Sequence, residues 1–283
     1  MWLAGGYFDE SFDKLEDRCY TVAGYIGAQL PAVILDLRWK TLLEKYQLAY
    51  FKASEIEFGY GEFVKHRDDP KNINAPLSAR EKELIVEIKT AFVDAICDED
   101  HLLGLSASVI LRDYKLLQMQ EPDLAKRLPD PYTLCGHLVM VEAGMIVNWS
   151  NENSPADLHA LLRPVFDSHK DYSFKFINAF DIFGQKNPIS ARNLLPPIYE
   201  KEQTYRCLQA ADCLAYEARR LVDRTVYEPE DTRVRKAMSR LAEHTRCIYV
   251  MDYDSLRYLA ANQEPDKIPI EPRIDNRPKY RQI

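Results

Sequence analysis

The stretch that most constrains this chain runs from Leu3 to Ser11, L-A-G-G-Y-F-D-E-S. A short apolar run that ends in two acids and a hydroxyl reads as a buried strand, with Asp9 delivered to the carboxyl edge of a sheet. Side chains alternate along a strand, so Asp9 and Ser11 share one face and Glu10 points to the other. On that basis Glu10 is the poorer candidate for any ion held by Asp9, and the remaining ligands must come from distant parts of the chain.

The following elements say where those parts are. Cys19–Ala28, C-Y-T-V-A-G-Y-I-G-A, is a second β-rich run, and the two runs together form a hairpin. Pro31 opens a helical pattern with Val33, Ile34, Leu37, Leu42, Leu43 and Tyr46 at three- and four-residue spacing. Leu48–Lys52 reads as a short strand, and Gly59–Pro76, which mixes Gly, Pro, Asn and both charges, as a surface loop. Ser78 and Glu81 make an S-x-x-E capping box for an amphipathic helix reaching about Cys97.

Leu102–Leu111 is a strand rich in small residues. A charged connector with Pro122, Pro129 and Pro131 then leads to a helix at Tyr132–Trp149. Leu161–Phe166 is a strand ending in an acid, Asp167, and Asp171–Phe183 has helical spacing. Asn193–Ile198 is a short strand interrupted by Pro196 and Pro197, and Thr204–Val222 a strong helix. Helices at Thr232–His244 and Ser255–Asn262 precede an extended tail. Two adjacent strands, an insertion, and then alternating strands and helices predict an α/β fold with an antiparallel start and parallel crossovers.

Composition limits the function classes. A chain of 283 residues with 46% apolar content can bury a real core. The formal charge of -7 argues against gripping nucleic acid by overall charge, while leaving room for a local basic patch or bound metal ions. Six cysteines without a C-x-x-C pair or zinc spacing read as mostly buried thiols of a cytosolic protein. The sequence contains no apolar run of membrane-spanning length and no secretory leader pattern, so the expectation is a cytoplasmic protein without a membrane partner. P-loop, G-x-S-x-G and H-E-x-x-H motifs are absent, which disfavours NTPases, serine hydrolases and zincins.

Asp9, Asp167 and Asp212 stand out as a set. Asp212 lies inside the otherwise apolar turns of L-Q-A-A-D-C-L-A-Y, where Gln209, Asp212 and Tyr216 share a stripe and Glu217 falls well off it. Carboxylates converging from two strand ends and a helix repel one another unless a hard cation sits among them. A cluster of three or four acids suits a two-metal phosphoryl-transfer site. Each acid also has a plainer explanation. A strand-end Asp can form a turn, Asp167 in F-D-S-H can cap a helix, and Asp212 can pair with Arg206 or Arg219.

Four motifs in order, F-D-E-S near the N-terminus, F-K-A-S-E at Phe51–Glu55, V-F-D-S at Val165–Ser168 and L-Q-A-A-D-C-L-A-Y at Leu208–Tyr216, resemble the bacterial and phage family known as domain of unknown function 3800. The resemblance spans roughly residues 3–225. It implies a ribonuclease H-like α/β fold, a mixed five-stranded sheet flanked by helices, with a helical insertion at about 30–100 within a 1–225 domain and a helical C-terminal extension over 226–283. It further implies a metal-dependent nuclease-type site, with Asp9, Asp167 and Asp212 as acids and Glu55 as the fourth. Phe12 stands where the family usually has glycine, and Lys52 where it often has histidine. Lys52 could instead contact a phosphate. Glu142 competes with Glu55 as fourth ligand, because related nucleases place an acid on the corresponding helix.

The expected function is therefore a two-metal, Mg²⁺- or Mn²⁺-dependent nuclease that cleaves nucleic-acid phosphodiesters. Asp9, Asp167, Asp212 and Glu55 form the metal cage, and His169, two residues beyond Asp167, serves as general acid for the leaving group. The alternatives are a catalytically silent nucleic-acid or protein-binding module of the same fold, and a phosphoesterase acting on a small nucleotide. Arg219, Arg220, Arg224, Arg233, Arg235, Lys236, Arg240 and Arg246 form a basic stretch, read either as a phosphate-tracking rim or as solvated faces paired with Glu228, Glu230 and Asp231.

Overall fold

The computed structural model describes residues 2–12, 18–168, 180, 183–202, 204–228, 230 and 234–262. The chain forms a six-stranded mixed sheet flanked by helices, in the order β5-β4-β1-β2-β3-β6. Strand β1 (Trp2–Phe12) pairs antiparallel with β2 (Cys19–Ala28), which pairs antiparallel with β3 (Leu102–Ile110). On its other edge β1 pairs parallel with β4 (Ala160–Asp167), and β4 with β5 (Ile198–Glu200). The hairpin packs closely: a Cβ at Gly24 would stand 1.8 Å from the Tyr7 carbonyl oxygen, so only glycine fits there.

Three helical segments lie between β2 and β3, where the insertion is expected: α1 (Gln29–Lys45), α2 (Ala53–Phe58) and α3 (Ala79–Cys97). The capping box is present, with the Glu81 amide donating to Ser78 Oγ at 3.2 Å and the Ser78 amide donating to Glu81 Oε2 at 2.6 Å. The segment read as a surface loop is more structured than its composition suggests. It includes a 3₁₀ turn at Gly61–His66 with Phe63 buried, and Arg67 is buried on Glu81 at 3.0 Å.

After β3 come α4 (Leu111–Gln120), α5 (Pro122–Ala125), α6 (Pro131–Glu152) and, beyond β4, α7 (Pro188–Ala191). Pro122 and Pro131 of the connector thus sit at helix starts, where a missing N–H costs nothing. Helix α8 (Arg206–Tyr227) crosses β1 and β2, and α9 (Lys236–Glu243) and α10 (Tyr253–Asn262) follow. Two cores result. One lies under α6 and includes Phe8, Val22 and Phe166; the other lies under α1, α3 and α8 and includes Trp39, Phe51 and Phe92.

Three expectations change. The sheet has six strands because Thr245–Met251, T-R-C-I-Y-V-M, forms β6 and pairs parallel with β3, so the extension read as helical also completes the sheet. Leu48–Lys52 is not a strand, since the amides of Phe51 and Ala53 donate to side chains of α8 instead of a neighbouring strand. The strand placed at Asn193–Ile198 begins only at Ile198, after a single bridge between Leu162 and Leu194, because Pro196 and Pro197 have no N–H to offer a ladder. The helix expected at Asp171–Phe183 lies largely outside the described residues. All six cysteines are free thiols, five of them buried. Among the described residues no helix is long and apolar enough to cross a membrane.

Candidate metal centre at the carboxyl edge of the sheet

Parallel register brings the first two acids together. Phe8 pairs with Phe166, their rings stacked 5.2 Å apart, so the following residues, Asp9 and Asp167, emerge side by side where β4 ends. Asp212 reaches the same place from α8, which packs on β1 and β2. The structure thus gathers the three aspartates. Carboxylate oxygens of Asp9, Glu202 and Asp212 lie within 4.8 Å of one another, and so do those of Asp9, Glu10 and Asp167. Asp9 belongs to both groups.

Backbone and side-chain bonds fix this geometry. The Ala53 amide donates to Asp212 Oδ2 at 2.6 Å, and the Glu202 amide to Asp167 Oδ1 at 2.9 Å. Gln209, one turn before Asp212, accepts from Trp39 Nε1 and from the Phe51 amide, both at 2.9 Å, and donates to the Glu202 carbonyl at 2.9 Å. Gln209 therefore ties together α1, the Phe51–Ala53 segment and the chain after β5. Asp9 Oδ1 accepts the Glu10 amide at 2.8 Å. Asp9 Oδ2, on a residue only 3% exposed, has no hydrogen-bond partner among the described residues.

The electrostatics follow from crowding like charges in a dry place. Burial, then Glu10, Asp212 and Asp167, push the Asp9 carboxyl well above the usual range, against the pull of Lys52. Burial and Asp167 raise Glu10 to about 8. Burial raises Glu202 to about 7 despite Lys52. Asp212 is also raised by burial, although Lys52 and the Ala53 amide work against the shift. Burial disfavours the Lys52 ammonium, but Asp212, Glu202 and Asp9 outweigh it and hold it above the usual lysine range.

Two expected residues sit elsewhere. Glu55 is beside the centre, but its carboxylate accepts Tyr50 Oη and the Glu62 amide, each at 3.2 Å. Gly61, at φ +57°, makes that possible: a Cβ there would stand 1.8 Å from Glu55 Oε2. Glu55 closes the Gly59–Glu62 turn and belongs to neither acidic group. Glu142 accepts Tyr249 Oη at 2.5 Å and lies 4.0 Å from Arg246, which ties it to β6. His169 lies outside the described residues.

Two members need a different account from the one the sequence suggested. Glu10 does share its face with Phe8 and so points away from α8, but β4 stops at Asp167. At that open edge the longer glutamate reaches round to the aspartates. Glu202 went unrecognised because the strand before it was placed too early. Once β5 is set at Ile198–Glu200, Glu202 is an acid just past the carboxyl end of a parallel strand, as Asp9 and Asp167 are near theirs.

The arginines that could have neutralised Asp212 are engaged with other acids. Arg206 Nη2 bonds Asp36 Oδ2 at 2.6 Å, and Arg219 Nη1 bonds Asp223 Oδ2 at 2.7 Å. Arg235 and Arg240 likewise pair with Glu57 and Asp94, so much of the basic stretch is internally matched, on acids other than those expected; Arg233 lies outside the described residues.

Fold and site together define an α/β protein with a buried acidic centre at the carboxyl edge of a mixed sheet. No family model and no curated protein matches the chain. Among solved structures, a chain of the PCNA:RNase HII complex from Archaeoglobus fulgidus is similar over 99% of this chain and 96% of that one, at 13% identity and a TM-score of 0.39.

Proposed function

We propose that this protein is a divalent-metal-dependent hydrolase of nucleic-acid phosphodiesters, built on a ribonuclease H-like core and related to the domain of unknown function 3800 family. The observation that carries this reading is the convergence on Asp9, which belongs to both groups of carboxylates and has one buried oxygen without a hydrogen-bond partner among the described residues. Hard cations such as Mg²⁺ or Mn²⁺ take oxygen ligands, and every candidate ligand is a carboxylate oxygen. Among the described residues, five carboxylates, Glu10 and Asp167 only partly buried, face one ammonium, a crowding of acids that a divalent ion would relieve.

Asp9, Glu10 and Asp167 would hold one ion, and Asp9, Glu202 and Asp212 the other, with Asp9 between them. Bound ions would supply Lewis acidity toward the phosphate and a more nucleophilic water at neutral pH. The chain contributes the positioning. The Ala53 and Glu202 amides fix the orientation of Asp212 and Asp167, and Gln209 holds the segments that carry those amides. The core β5-β4-β1-β2-β3 supports the ribonuclease H-like reading, with β6 added at its β3 edge. Free thiols fit a reducing, cytoplasmic compartment.

The test is cleavage of single-stranded DNA, RNA and hybrid duplexes with Mn²⁺, comparing the natural sequence with Asp9→Asn and Asp212→Asn. Both variants are expected to keep their circular dichroism and lose cleavage. Cleavage unchanged in either variant would overturn the assignment.

A further inference from the structure

The two halves of the acidic centre are not equivalent. The half formed by Asp9, Glu10 and Asp167 has no lysine or arginine among its described ion pairs. In the half formed by Asp9, Glu202 and Asp212, the Lys52 ammonium lies 2.9 and 3.1 Å from the two oxygens of Glu202. We propose that Lys52 is the resident cation of this second half, so that at rest the centre takes one divalent ion, at Asp9, Glu10 and Asp167. This rests on the metal-dependent reading above.

Lys52 is held in place and is no wandering surface lysine. The residues on either side are pinned to α8, Phe51 through its amide to Gln209 and Ala53 through its amide to Asp212. The Phe51 ring is fully buried, 4.5 Å from Phe92 and 5.5 Å from Trp39 between centroids. With its backbone fixed on both sides, the lysine has a short list of places to put its charge, and the structure puts it on Glu202. The Glu202 side chain is 7% exposed and that of Lys52 34%, so the cation has a route out and the acid does not.

Charge balance within each half points the same way. Each half has one aspartate that accepts an amide, Asp212 from Ala53 and Asp167 from Glu202, and Asp9 is common to both, so the ammonium on Glu202 is what sets the halves apart. A divalent ion entering the second half would meet a positive charge at contact distance and would have to displace it. Like charges a few ångströms apart in a poorly solvated site repel strongly. The first half has no lysine or arginine at contact distance among its described ion pairs, and Lys52 reaches its Asp9 and Glu10 only through space.

Calorimetric titration with Mn²⁺ of the protein and of Lys52→Met and Lys52→Arg tests this, with circular dichroism reporting the fold. The natural sequence and Lys52→Arg are expected to bind one ion tightly and a second at least about tenfold more weakly. Lys52→Met is expected to bind two, with the second tightened about tenfold or more. Electron paramagnetic resonance gives a second readout, in which spin-coupled Mn²⁺ pairs appear in Lys52→Met at ion levels where the natural sequence shows isolated Mn²⁺. Identical stoichiometry and affinities in Lys52→Met and the natural sequence would overturn the inference and leave the metal-dependent reading standing. No Mn²⁺ binding by any of the three proteins would overturn both.

Discussion

Helix α8 carries two buried charge clusters five residues apart, built on opposite plans. Around Asp212, five carboxylates face one ammonium among the described residues. Around Glu217, which is fully buried, the charges balance: Lys89 and Arg235 meet Glu217 and Glu57, and both cations lie within 6 Å of the Tyr216 ring. A balanced cluster neutralises its own charge and serves to clamp α2, α3 and the residue before α9 onto α8. An unbalanced one is costly to bury in its charged form, and burial accordingly raises the carboxyls of Asp9, Glu10, Glu202 and Asp212. The contrast separates scaffold from site on one helix.

The comparison breaks most sharply under substitution. Asp9→Asn should reduce Mn²⁺-dependent cleavage about a thousandfold or more, roughly 4 kcal/mol of transition-state stabilisation, in a kinetic assay at saturating metal. The same change should raise the melting temperature of the metal-free protein, because it removes a carboxyl that burial and neighbouring acids already disfavour. A variant that lost activity by unfolding would melt lower. Glu217→Gln should do the reverse. Removing one acid of the buried cluster leaves Lys89 and Arg235 sharing Glu57 alone and should cost about 3 kcal/mol by chemical denaturation, with Mn²⁺ stoichiometry unchanged.

How far the sequence reaches differs between the two clusters in the same way. Asp9, Asp167 and Asp212 are legible because an acid at a strand end or in an apolar helix turn breaks the local pattern. Glu217 sits off the Gln209–Asp212–Tyr216 stripe and looked like an ordinary polar position, since its partners come from α2, α3 and the residue before α9. Glu202 was hidden by two prolines that blurred the start of β5, and Glu10 by an alternation rule that fails where the neighbouring strand stops. Glu55 is engaged by Tyr50 and the Glu62 amide, and the need for Gly61 at positive φ, which frees space for its carboxylate, is visible only once the turn is built. Strand β6 was missed because T-R-C-I-Y-V-M follows a short amphipathic helix and finds its partner about 140 residues upstream, in β3.

Acidity should sharpen the comparison further, since the clusters respond to pH with opposite signs. Glu10 and Glu202 have folded values raised to about 8 and about 7 from an ordinary value of 4.5. Their contribution to stability is complete below about pH 4.5 and is lost as pH rises through 7 and 8. Glu57 is the other case. Burial works upward, but bonds from Arg235 and Lys89 prevail and hold its carboxyl below the usual range, so its contribution is present above pH 4.5 and lost on acidification. Melting of the chelator-treated protein should therefore fall from about pH 5 to about pH 8.5, and excess Mn²⁺ should restore it by mass action. A melting temperature that climbs through this window without metal would contradict the charge excess assigned to the Asp9 centre.

The smallest effect distinguishes the two glutamates that compete for a place beside Asp212. Glu202 has its carboxylate within 4.8 Å of Asp9 and Asp212, and its backbone amide orients Asp167. Glu55 spends both oxygens on Tyr50 and the Glu62 amide. Glu202→Gln keeps the amide and the shape while removing the charge, so it should raise the Kd of the weaker Mn²⁺ about tenfold, close to 1.4 kcal/mol. Glu55→Gln can still accept from Tyr50 or Glu62 and should leave both affinities within about twofold, at a modest cost in stability. If calorimetry instead finds Glu55→Gln to be the damaging change, the turn at Gly59–Glu62 opens to deliver Glu55 when metal arrives, and Glu202 serves mainly to anchor Lys52.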